Sequence, residues 1–173
     1  MRFRGSLLPV LVAAAVAITM PAAARAQDAG FVIRPELRAD VITGRQSAVQ
    51  VGGGVQVPAG PYARFGIIGA IGLRLHEDLG AGADSRGTRN PDARLDFLGR
   101  FLLDPYRQSP FGLSVGAGLS LRAEPDDRVR PLLLVAADLE GREMGGGWTP
   151  ALQVGLGGGA RFGLLFRHGG RTR

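Results

Sequence analysis

Apolar and polar side chains alternate one by one over most of this chain, the period that places neighbours on opposite faces of a β-strand. From Phe31 to Ile42 the odd positions are Phe31, Ile33, Pro35, Leu37, Ala39 and Val41, and the even ones include Arg34, Glu36, Arg38 and Asp40. Val49, Val51, Val55 and Val57 then oppose Gln50, Gly52, Gly54 and Gln56, and Phe65, Ile67, Ile71 and Leu73 oppose Tyr62, Arg64, Gly66, Gly72 and Arg74. Further on, Leu95, Phe97, Phe101 and Leu103 oppose Arg94, Asp96, Arg100 and Asp104. Phe111, Leu113, Val115, Leu119 and Leu121 oppose a glycine and serine face ending in Arg122. Val129, Leu133, Val135 and Leu139 face away from Arg128, Arg130, Asp138 and Glu140.

In the last stretch the parity reverses, with Leu152, Val154, Leu156, Phe162, Leu164 and Phe166 apolar against Gln153, Arg161, Arg167 and several glycines. Parity holds straight through those glycines, which predicts one long bent strand rather than two short ones. Seven strands are therefore read directly. Short turn-like connections join them at Thr43-Gly44, 58–61, 104–110, 124–127 and 143–147, with one longer polar segment over 77–91. The expected fold is all-β, a single up-and-down antiparallel barrel of about eight strands. In such a sheet the connections alternate ends, so Tyr62, Tyr106, Phe111 and Trp148 fall at one end as half of an aromatic girdle.

The N-terminus has a different pattern. Arg2 and Arg4 precede an apolar run from Leu7 to Ala17, and Ala24-Arg25-Ala26 closes it, which reads as a secretory signal peptide over 1–26 and a barrel domain over 27–173. The run is well short of the ~20 residues of a membrane-spanning helix, so any membrane insertion is by strands. Loss of Arg2, Arg4 and Arg25 lowers the formal charge of +6 to about +3, too little to argue for nucleic acid. An exported chain without cysteine relies on sheet closure rather than disulfides. Its basic residues, histidines apart, are all arginine, the cation best suited to buried bidentate pairing.

Volume chooses which face points inward. About 40 residues lie on the apolar face, yet a barrel of roughly eight strands has an interior barely wide enough for side chains to fill. The glycine-rich opposite face suits a crowded lumen. That lumen would hold Arg34, Arg38, Arg64, Arg94, Arg100, Arg122, Arg130 and Arg161 beside Glu36, Asp40, Asp96, Asp138 and Glu140 as ion-pair candidates. Facing lipid, each arginine near the midplane would cost about 2–4 kcal/mol.

With alternating strands over nearly all of the mature region and the stretch from Ala151 through Gly155-Leu156-Gly157-Gly158-Gly159 to Phe162, the chain resembles small bacterial outer-membrane β-barrel proteins. The resemblance implies outer-membrane lipid and the outer-membrane assembly machinery as partners. Two features depart from that class: seven strands is an odd number, and Arg167 to Arg173 follow Phe166 where such barrels commonly end on an aromatic residue.

Little else suggests chemistry. Gly155 to Ala160 fits the loose G-x-G-x-x-A dinucleotide pattern, but no helix or later acidic residue supports it. His76-Glu77-Asp78, with Ser85 in the same segment, could bind metal or act as a general base, though a solvated loop entrance explains them as well. The reading is a non-enzymatic outer-membrane barrel with a narrow, ion-paired lumen, no catalytic or metal site, no cofactor and no nucleic-acid partner, in a structural or surface-interaction role. The alternatives are a soluble periplasmic lipocalin-like barrel for an apolar ligand and a lipid-modifying outer-membrane enzyme.

Overall fold

The alternating segments form eight strands in the computed structural model, which describes residues 33–44, 47–75, 91–106, 108–123 and 128–169. They are β1 (Arg34–Thr43), β2 (Ser47–Pro58), β3 (Ala63–Leu75), β4 (Pro91–Leu102), β5 (Gly112–Ala123), β6 (Val129–Glu140), β7 (Trp148–Leu156) and β8 (Ala160–His168). Each pairs antiparallel with the next, and β1 pairs with β8 to close the barrel. The leader over 1–26, the His76-Glu77-Asp78 group and Ser85 lie outside the described residues.

The stretch expected to be one long strand is two, β7 and β8, which brings the strand number to eight. Leu156 and Ala160 are hydrogen-bonding neighbours across a three-residue connection, Gly157-Gly158-Gly159. A connection with an odd number of residues returns the chain with its parity unchanged. Alternation alone therefore cannot reveal this hairpin. Gly158 has φ +76°, a left-handed conformation that other residues rarely adopt.

The register fixes the width of the barrel. From Leu165 in one direction, successive cross-strand partners are Arg38, Gly52, Ala70, Arg94, Arg122 and Arg130. In the other direction they are Ala151 and then Glu140, which lies ten residues farther along the same strand, β6. Eight strands with a stagger of ten give a tilt of about 40° and a backbone radius of about 8 Å. Walls this narrow bend sharply at inward-facing glycines. A Cβ on Gly72 would lie 1.9 Å from the Val49 carbonyl oxygen, and one on Gly118 the same distance from that of Phe97. Only a hydrogen fits at these corners.

The two faces differ sharply. Valine, leucine, isoleucine and phenylalanine project outward from every strand, among them Leu37, Val51, Phe65, Phe97, Leu119, Leu133, Val154 and Phe162, all exposed. The inward face is buried and mixed. It holds charged and amide side chains together with Ile42, Ile68, Leu98, Leu134 and Leu165. The rim is uneven at the end that carries the β5–β6 and β7–β8 turns. There β6 pairs with β5 from Val129 onward but with β7 only from Val135, so its first six residues stand above the β7–β8 turn.

Candidate functional site: the barrel interior

Because alternation points every second side chain inward, the charged residues of six strands and the glutamines of β2 and β7 converge on the barrel axis. Seven arginines (Arg38, Arg74, Arg94, Arg100, Arg122, Arg161 and Arg167) and six carboxylates (Glu36, Asp40, Asp92, Asp96, Asp138 and Glu140) are buried among the described residues. The near balance matters, since an isolated charge at this depth would be strongly unfavourable.

The pairs stack in three levels. At the end where the chain enters β1, Arg167 donates to Glu36 (2.9 Å), Asp138 (2.5 Å) and Glu140 (2.6 Å). Arg100 lies 2.9 Å from Asp138 and 3.4 Å from Glu36, and Arg64 donates to Glu140 at 2.9 Å. Gln153 donates to Asp138 at 2.6 Å, and Gln56 donates to Glu36. At mid-height Arg38 grips Asp40 through Nε and Nη2 at 2.8 and 2.9 Å, and Arg94 bridges Asp40 and Asp96. Arg161 donates to Asp96 at 2.8 Å. At the third level Asp92 accepts from both Arg74 (3.1 and 3.2 Å) and Arg122 (2.7 and 3.0 Å), with Gln50 at 2.6 Å.

Most residues anticipated for the lumen are buried in this network, but three are not fully buried, Arg64 among them although it donates to Glu140. Arg34 and Arg64 are half-buried at the mouth, around a space of about 10 Å³ that holds no more than one water. Arg130 is exposed and makes no ion pair with any described residue, because β6 carries it above the β7–β8 turn where the wall is incomplete. Conversely, Arg74, Asp92 and Arg167 were not among the candidates. Asp92 shares its parity with Arg94 and Asp96, a signal that was available. Arg167 continues the parity of Arg161 and Gly163, but its place after the last apolar position suggested a tail.

At the first mouth Tyr62, Tyr106 and Phe111 are exposed and Trp148 is half-buried. Tyr62 stacks on Phe101 at 6.0 Å between ring centroids and meets Tyr106 edge-on at 6.2 Å. Trp148 packs edge-on against His168 at 5.1 Å.

Among the described residues every buried carboxylate is engaged by arginine. Ser120 is the one buried hydroxyl of the described residues that a carboxylate holds: it donates to Asp96 at 2.6 Å and has Arg161 within 3.5 Å, and its hydrogen-bond partners include no histidine. No group of three or more potential metal ligands occurs among the described residues.

No family model and no curated protein matches this chain. Among solved structures it is similar to one described as de novo design of transmembrane beta-barrels, with a TM-score of 0.54, 16% identity, and coverage of 80% of this chain and 94% of that one. A second, described as the solution NMR structure of de novo designed TMB2.3, has a TM-score of 0.44 and 13% identity over 80% and 94% of the two chains. The first likeness supports the closed-barrel fold.

Proposed function

We propose that this chain is a non-enzymatic barrel of a bacterial outer membrane, exported through its leader. Its ion-paired interior would act as an internal strut and its exposed end would serve a structural or surface-interaction role. The outward apolar face carries this reading: large hydrophobic side chains cover all eight strands on the side where a soluble barrel would be solvated. The charged interior supports it from the other side, since polar groups in a membrane barrel must be satisfied within the protein. A lipocalin-like carrier needs an apolar interior for its ligand, and here the apolar face points the other way. The packed arginines also leave no evident path for ions.

Expression of the full chain, followed by envelope fractionation with and without detergent, tests the proposal. The expected result is recovery in the detergent-soluble outer-membrane fraction, with a band whose gel mobility changes on boiling. Recovery of the mature chain in the soluble periplasmic fraction would overturn it.

A further inference from the structure

The barrel wall has one weak seam, between β6 and the β7–β8 hairpin. Below the seam the outer surface sinks into a groove of about 430 Å³, within the ~300–1,000 Å³ of small-molecule sites. Val135, Ala137, Val154, Leu156, Ala160 and Phe162 line it, and Ala137 and Ala160 form the depression among larger neighbours. The groove runs up to Val135, the last β6 residue paired with β7.

Beyond that point the β7-facing edge of β6 from Val129 to Leu134 has no partner strand. The glycine turn lies beside it, so near that a Cβ on Gly158 would meet Leu132 at 2.6 Å. Leu133, directly above the groove, is 74% exposed. Arg130 stands about 17 Å farther along the strand from Val135. Its cross-strand neighbour is Arg122, already committed to Asp92, so Arg130 has a like charge beside it and no carboxylate partner among the described residues. An apolar trough on the outer face thus leads to an unpaired strand edge and, across that open edge on the lumen-parity face, to a guanidinium without a carboxylate partner among the described residues.

From this geometry we infer a site for one anionic phospholipid, with an acyl chain in the groove and its phosphate at Arg130. The inference rests on the membrane reading. Hydrocarbon matches the lining, and a phosphate supplies both the counter-charge for Arg130 and an acceptor for N–H groups on the open edge. An unpaired backbone edge is also poorly tolerated in hydrocarbon, which places this part of β6 at headgroup depth.

The test is native mass spectrometry of the full chain released from vesicles of equal phosphatidylglycerol and phosphatidylcholine. Wild-type protein is expected to retain one lipid, with phosphatidylglycerol favoured. Arg130→Gln should lower that preference about fivefold while keeping the lipid, the effect of one arginine near a membrane surface. Ala137→Phe fills the groove and should lose retained lipid of both kinds. Neither residue belongs to the interior network, and boiling-dependent gel mobility verifies that each variant is folded. A folded Arg130→Gln variant with the wild-type lipid ratio, or an Ala137→Phe variant with undiminished lipid, would overturn the site alone. Failure of the wild-type chain to enter vesicles would overturn the membrane reading and the site with it.

Discussion

Glu36 and Arg167 face each other as direct cross-strand partners where the first strand meets the last, and the Arg167 Nε donates to the Glu36 carboxylate at 2.9 Å. The closure of the sheet and the neutralisation of its interior therefore meet at one pair. The remaining nitrogens of Arg167 reach Asp138 and Glu140, so a single guanidinium serves three carboxylates from two other strands.

Replacement of Arg167 by methionine keeps the length of the side chain and removes its charge. Breaking a buried ion pair from one side costs about 3–5 kcal/mol, and here three carboxylates lose a partner together. Arg167→Met is expected to lower the urea midpoint of the folded form by that order. Arg167→Lys should recover only part of the loss, because an ammonium cannot present a planar fork to three acceptors. A midpoint equal to wild type for Arg167→Met would show that the cluster contributes no closure energy.

Asp92→Asn removes the counter-charge of Arg74 and Arg122 at the opposite end. The expected loss is smaller, about 1.5–3 kcal/mol, the range for hydrogen bonds to charged groups. Arg74 retains the Ala123 carbonyl as an acceptor and lies nearer solvent. Denaturant titration of both variants should rank Arg167→Met below Asp92→Asn, and the reverse order would contradict the stacked arrangement.

The corner glycines give a prediction that depends on sterics alone. Gly118→Ala would put a Cβ 1.9 Å from the Phe97 carbonyl oxygen, a contact relieved only by moving strand from strand. Destabilisation at the upper end of the about 1–3 kcal/mol seen for overpacking is expected. Gly99→Ala faces outward, where the nearest atom is on the exposed Phe65 ring at 3.3 Å, and should be tolerated. Parallel refolding yields for the two variants decide the matter.

Phe97 projects outward from the middle of β4. In a bilayer, Phe97→Arg is expected to cost about 2–4 kcal/mol relative to Phe97→Leu, measured as the shift in urea midpoint of vesicle-inserted protein. Equal midpoints would remove the lipid-facing assignment of this face.

Period-2 alternation made the sidedness of six strands legible, because each side chain's face follows from local parity. The seventh and eighth strands were fused because Gly157-Gly158-Gly159 preserves parity, leaving only the glycine run as a marker of the turn. Which charges meet was a different problem. Arg94 contacts Asp40, 54 positions earlier, through a ten-residue stagger that no local pattern encodes. Arg130 has the parity of a lumen residue, yet its surroundings depend on where another hairpin stops. Parity gives direction, whereas the height of the wall around a residue is set by strands distant in sequence.

The Glu36–Arg167 contact joins residues 131 positions apart, which bears on the order of assembly. Until β8 arrives, Glu36, Asp138 and Glu140 lack the one guanidinium that joins all three, although Arg100 and Arg64 already lie beside them. β8 therefore supplies the guanidinium that ties Glu36 of the first strand to Asp138 and Glu140 of β6, so a chain truncated before it should stall as an open sheet rather than settle as a smaller barrel.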